Sequence, residues 1–111
     1  MTDCLFCKII AGQIPAEKIY EDAHIIAFND IAPKAPVHVL VIPKRHIVSL
    51  ADLSDADRGM IADLTLTLPV IAQQCALDDG FRTIINTGPG GGQEIFHLHY
   101  HILGGGRLPG F

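Results

Sequence analysis

Val37-His38-Val39-Leu40-Val41-Ile42 is a strongly β-branched run, apolar but for His38, between Pro36 and Pro43, the pattern of a central strand covered on both faces. Around it, residues 18–21 and 24–28 predict two strands joined at Glu21-Asp22, and residues 81–86 and 95–103 predict the last two. Asn29-Asp30 and the prolines at 33 and 36 break regular ladders, so that stretch reads as a loop. Residues 7–11 predict a short helical turn closed by Gly12. Ile61, Leu64, Leu68, Ile71 and Cys75 recur at helical spacing and predict one long helix with a single apolar stripe. Ser54 is a good N-cap for it, with Asp55 and Asp57 where acidic groups suit the helix dipole, and Asp78-Asp79-Gly80 is its expected end. Pro69 lacks a backbone donor and predicts a kink near residues 65–69. Strands, one helix and strands again make an α+β fold: an about five-stranded, mainly antiparallel sheet, one long helix and a short N-terminal helix. No repeat or linker divides residues 1–111, which read as a single domain with a loop-like tail from Gly104.

Composition narrows the function classes. The chain has 111 residues, 49% hydrophobic and 18% charged, enough apolar surface for one packed core. Its net charge of -4, with no Lys/Arg-rich run, argues against nucleic-acid binding. A small anionic substrate stays open, because backbone amides and imidazoles hold phosphate whatever the net charge. The longest apolar run is far too short for a membrane span, and no basic segment precedes a long apolar one as in a signal peptide. Cys4 and Cys7 form a C-x-x-C pair among three cysteines, a spacing that suggests metal or redox chemistry in a cytoplasmic chain. Cys75 falls on the helix stripe and reads as core.

The distinctive chemistry is His97-Leu98-His99-Tyr100-His101. On a strand, alternate residues share a face, so His97, His99 and His101 are expected together, with Leu98, Tyr100 and Ile102 opposite. Imidazole chemistry on such a face is of two kinds. One is metal binding, although a single ion would hold neighbours more readily than all three. The other is nucleophilic attack at phosphorus, since neutral imidazole is a free nucleophile near pH 7 and also a leaving group. Gly88-Pro89-Gly90-Gly91-Gly92-Gln93-Glu94, directly before the histidines, favours the second: its glycines let backbone amides approach an anion. It is neither a Walker A loop nor a dinucleotide fingerprint, lacking a Gly-Lys-Ser/Thr end and preceding a strand. His38, inside an apolar central strand, needs a partner or a task.

With these residues in view, the chain resembles the histidine-triad family, and within it the nucleotide-binding Hint branch. The most specific stretch is Gly91-Gly92-Gln93-Glu94-Ile95-Phe96-His97-Leu98-His99-Tyr100-His101-Ile102-Leu103-Gly104-Gly105. Phe6-Cys7-Lys8-Ile9-Ile10 with Ile14-Pro15, Ala27-Phe28-Asn29-Asp30-Ile31-Ala32-Pro33 and residues 37–44 match in the same order. Leu103-Gly104-Gly105 favours Hint over the fragile-histidine-triad branch, which usually has proline there.

The resemblance implies a two-step transfer by a nucleotide hydrolase or transferase. His99 would attack the α-phosphorus of a nucleoside 5′-phosphoramidate or related conjugate, and water would release the monophosphate from the nucleotidyl-histidine. The His97 carbonyl would orient His99, His101 would contact phosphate or leaving group, and His38 would complete the cluster. By the same resemblance Asp30 would bind ribose hydroxyls, Leu5, Phe6, Ile9, Phe28, Ile31 and Leu40 would hold a purine base, and Asn29 and Ile95 would also contact the substrate. Asn86, Gly92, Gln93 and Glu94 would approach the phosphate and leaving group. Many relatives carry serine where this chain has Glu94, so the serine's role does not transfer, and an anionic side chain there would favour amine-bearing leaving groups. Dinucleoside polyphosphate hydrolysis and a nucleotide-binding regulatory adaptor are the alternatives. The intact histidines argue against vestigial chemistry.

Cys4 and Cys7 with His46 and His97 could complete a tetrahedral Cys₂His₂ zinc site, as in a subset of similar histidine-triad proteins, structural rather than catalytic. No organic cofactor is expected. The resemblance also implies a homodimer joined through the long helix and a sheet edge, with neither nucleic acid nor membrane as partner.

Overall fold

A computed structural model describes residues 4–110, so Met1-Thr2-Asp3 and Phe111 lie outside the described residues, as does what was read from them about a leader and the tail's end. Strands β1 (Lys18–Glu21), β2 (Ile25–Asn29), β3 (Val37–Pro43), β4 (Phe81–Ile84) and β5 (Tyr100–Gly104) form one sheet in the order β1-β2-β3-β5-β4. Every pairing is antiparallel. The final strand inserts between β3 and β4, which makes β3 central and leaves β1 and β4 at the edges. Two helices, α1 (Leu5–Ile10) and α2 (Arg58–Gln74), cover opposite faces.

Alternation along β3 divides the core. Val39 and Val41, with Ile25, Ala27, Tyr100 and Ile102, meet Leu64, Leu68, Ile71 and Ala72 of α2. Leu40 and Ile42, with Ile26 and Phe28, meet Phe6 and Ile9 of α1. Two-sided burial is why β3 reads as a continuous apolar run.

The long helix differs from its prediction at both ends. Residues Asp55–Asp57 form a 3-10 turn, and the α-helix begins at Arg58. Ser54 N–H donates to the Asp57 carboxylate at 2.8 Å, and Arg45 pairs with the same buried carboxylate, tying the end of the loop after β3 to the helix entrance. Helix α2 runs on through Pro69 and stops at Gln74, short of Asp78-Asp79-Gly80. It stops there because Ala76 takes a left-handed backbone, φ 59°, and the buried Leu77 turns back to bond Ala72 O at 3.0 Å. Leu77 also explains Gly104: a Cβ there would lie 2.9 Å from the Leu77 side chain.

The predicted strand over 95–103 is corrected most. Only its second half joins the sheet, from Tyr100, so His97 and His99 precede β5 and only His101 lies on it. Pairing with β3 reaches Val41↔Tyr100; two residues further, Pro43 has no N–H to continue a ladder. Residues 95–99 bend away instead, pinned by Leu98 N–H on Ile47 O at 2.6 Å. Among the described residues no helix is long and apolar enough to cross a membrane.

Candidate active site

His38 pairs across the sheet with Leu103, and His101 with Leu40, which puts both imidazoles on the α1 face. His99 joins them from the bent segment, with ring centroids 5.0 Å from His101 and 5.2 Å from Phe6. The face predicted for a regular strand is therefore assembled from a strand and a bend.

Hydrogen bonds fix the protons on these rings. Lys34 N–H donates to His38 Nδ1 at 3.0 Å, so a neutral His38 carries its proton on Nε2. That Nε2–H donates to His101 Nδ1 at 2.9 Å and lies 3.5 Å from an Asp30 carboxylate oxygen. His101 in turn must carry its proton on Nε2, a buried atom with no protein partner. Burial, reinforced by the neighbouring His99 and His38, lowers the His101 pKa to about 4, and burial also lowers that of His38. At neutral pH this is a chain of neutral imidazoles ending in a free N–H donor.

His99 has the opposite arrangement. Its Nδ1–H donates to His97 O at 2.7 Å, leaving Nε2 as a lone pair. His99 and His101 line one cavity of about 370 Å³, together with Phe6, Asp30, His38, Leu40, Asn86, Gly92, Glu94 and Ile95. That volume suits a small organic ligand. A larger, more open groove at the other end of the sheet, near Phe81, Arg82 and Leu108, contains no imidazole or thiol.

Several expected site residues sit elsewhere. Ile31 is 98% exposed, and Leu5, Ile9, Phe28 and Asn29 do not line the cavity; Phe28 and Ile9 back Phe6 from the core. Gln93 is buried and turned inward: its amide donates to Val48 O (2.7 Å) and Ile95 O (3.0 Å), and its Oε1 accepts from Gly88 N–H (2.9 Å). The glycine loop is likewise partly closed on itself. Gly91 N–H bonds Gly88 O and Gly92 N–H bonds Pro89 O, both at 3.1 Å, while Gly92 holds φ 85° to make the turn. Sequence reasoning missed Lys34, Ile84 and Leu103 in the lining. The strand period offered a signal for Leu103, two residues beyond His101; Lys34 is set by loop geometry and had none.

Behind this wall lies a second cluster. His97 donates Nε2–H to Pro43 O at 2.8 Å, so Nδ1 is a lone pair, and burial lowers its pKa. That Nδ1 lies 3.3 Å from Cys4 Sγ, 3.6 Å from Cys7 Sγ and 3.1 Å from His46 Nδ1. Cys7 Sγ is 3.3 Å from His46 Nδ1. Ligands of one tetrahedral zinc stand about 3.3–3.8 Å apart, so the donor set fits such an ion with little movement. Burial and the adjacent Cys4 raise the Cys7 thiol to about 11, so pairing thiolates here calls for a cation. The Pro43 carbonyl holds the His97 tautomer as an outer-sphere partner would.

The HIT domain family model matches residues 11–108. The chain is 51% identical over 104 residues to Protein HitA of Neisseria gonorrhoeae, covering 94% of this chain and 97% of the relative. A histidine triad protein from Clostridium difficile superposes with a TM-score of 0.95 and 47% identity, covering 100% of this chain and 97% of that one. A HIT family hydrolase from Legionella pneumophila Philadelphia 1 gives 0.93 and 44%, covering 96% of each. Matched nearly end to end in sequence and in fold, the chain belongs to the HIT family.

Proposed function

We propose that the protein hydrolyses nucleoside 5′-phosphoramidates, or related nucleotidyl conjugates, at the α-phosphorus through a nucleotidyl-His99 intermediate. The observation that carries this reading is the 2.7 Å bond from His99 Nδ1 to the His97 carbonyl, which reserves Nε2 for the cavity. Nε2 forms a bond to phosphorus as the bond from phosphorus to the leaving amine breaks. The amine departs with the electron pair and takes its proton from solvent or leaves from its own ammonium form. His99 becomes cationic in that step, and its Nδ1–H bond to a carbonyl strengthens accordingly. His101 Nε2–H donates to a phosphoryl oxygen, the preorganised donor that charge at phosphorus needs. Water then attacks phosphorus and gives up a proton to solvent, the bond to Nε2 breaks with its pair returning to His99, and the monophosphate leaves.

Phe6, Leu40, Ile84, Ile95 and Leu103 supply the apolar lining for a base. Asp30 Oδ1 already accepts Ala32 N–H at 2.8 Å, so ribose hydroxyls use its remaining lone pairs. Asn86, Gly92 and Glu94 face the phosphate and leaving group. Zinc held by Cys4, Cys7, His46 and His97 supplies structural cross-linking when bound. Metal analysis of protein purified without chelator, set against Cys4→Ser/Cys7→Ser, tests that site.

A homodimer through α2 and a sheet edge follows from the same reading. β4 is a sheet edge, and α2 leaves Leu66 and Val70 exposed. Light scattering at micromolar concentration should give twice the chain mass; a monomer overturns it.

The deciding experiment incubates the protein with adenosine 5′-phosphoramidate and, separately, diadenosine polyphosphate. Faster turnover of the phosphoramidate, with adenylated His99 trapped by mass spectrometry, is expected. Preference for the polyphosphate would move the assignment to that class. Absence of turnover and adduct with both would leave a nucleotide-binding adaptor.

A further inference from the structure

We propose that the Cys4/Cys7/His46/His97 cluster and the nucleotide cavity are thermodynamically coupled, so that zinc at the cluster tightens nucleotide binding, with Phe6 and His97 as the positioning residues between them. This rests on the nucleotide reading of the cavity and adds a regulatory ligand to it.

Helix α1 is where the two sites meet. It has six residues, too few to be stable alone. Cys4 is its N-cap and accepts the Cys7 N–H at 3.3 Å, so both thiols of the cluster belong to its first turn. Between them sits Phe6, a cavity wall whose ring lies 5.9 Å from His97, 5.2 Å from His99 and 5.4 Å from Phe28. Cross-linking the thiols to His46 and His97 therefore fixes the wall against which a base packs.

His97 forms the second link. It is fully buried, its imidazole faces the cluster, and its carbonyl holds the nucleophile. Sulfur–nitrogen contacts such as those of 3.3 to 3.6 Å within the cluster are weak by themselves compared with metal–ligand bonds. Zinc would order α1 and residue 97 before nucleotide arrives, and nucleotide pressing on Phe6 would order them before zinc arrives. A second ligand that meets an already ordered site binds more tightly, and the effect is reciprocal.

Calorimetric titration with AMP of chelator-stripped and zinc-loaded protein tests the coupling. AMP affinity is expected to rise about fivefold or more with zinc. Zinc affinity, read by competition with a chromogenic chelator, should rise by the same factor at saturating AMP. His46→Ala removes the one exposed ligand, which does not line the cavity; its AMP affinity should match stripped wild type and ignore zinc. Hydrogen exchange of the amides of residues 5–10, slowed by zinc in the wild type, reports the intermediate step without any catalysis. Equal AMP affinity in both wild-type forms overturns the coupling while leaving the nucleotide reading intact, as does failure of zinc to bind. Failure of AMP to bind either form removes both.

Discussion

His99 Nδ1 lies 2.7 Å from the carbonyl oxygen of His97, two residues back in the chain, and this one bond decides which nitrogen of His99 is free to react. A local backbone acceptor fixes the His99 tautomer, as a carboxylate does for many catalytic histidines. His99→Ala should lower phosphoramidate turnover on the order of 10⁴-fold or more, as loss of a covalent nucleophile does elsewhere. It should also abolish the adenylated adduct while leaving AMP binding measurable. Turnover that survives the substitution would assign the nucleophile elsewhere.

His101 predicts a pH dependence of stability. Its folded pKa is about 4 against an ordinary 6.5. Between those values the unfolded chain binds a proton that the folded chain does not, so stability falls as pH drops through that window. Keeping His101 neutral therefore carries no penalty above pH 6.5 and a growing one toward pH 4. Urea midpoints of zinc-free protein at neutral and mildly acid pH should show a larger acid loss in wild type than in His101→Gln. Equal losses would contradict the buried neutral assignment.

Gln93 predicts a structural cost at a position that the family resemblance assigned to substrate. Gln93→Leu leaves Gly88 N–H and the carbonyls of Val48 and Ile95 without their partner. A loss of about 2–4 kcal/mol is expected from these unmade bonds, measured by urea denaturation. A stability change below about 0.5 kcal/mol would mean that water replaces the amide readily.

Ala76 predicts a gain. It holds φ 59°, strained for any residue with a Cβ, at the end of α2. Ala76→Gly removes that strain but adds backbone freedom to the unfolded chain, so a net stabilisation of up to about 1 kcal/mol is expected in the denaturant midpoint.

Glu94 predicts a leaving-group preference. It lines the cavity with His99 and His101, where a carboxylate opposes phosphate and favours a cationic leaving amine. Glu94→Ser should reduce the preference for lysyl over neutral leaving groups several-fold in kcat/KM. An unchanged ranking would remove Glu94 from specificity.

Much of the scaffold follows from pattern alone. Two-sided burial of β3 follows from a run that is apolar but for His38. Ile61, Leu64, Leu68 and Ile71 fall on one helix face by spacing, and their partial or full burial against the sheet follows. These features depend on periodicity, which is local. The family, too, was legible, because its histidine motif is contiguous in the chain.

Proton positions and the division of the three histidines were decided by tertiary structure. Nothing near residue 97 in sequence says that Pro43 ends the ladder, that Ile47 then captures Leu98, or that the last strand therefore starts at Tyr100. Nor does spacing place His97 against Cys4, 93 residues away, or the Lys34 amide on His38. Gln93 turned inward and Ile31 outward for the same reason: each choice depends on what a distant segment offers in hydrogen bonds or apolar cover. Sequence determined which side chains exist to do chemistry and the elements that carry them. Long-range backbone contacts decided which nitrogen of each imidazole is free, because a tautomer is set by the partner opposite it and not by its neighbours in the chain.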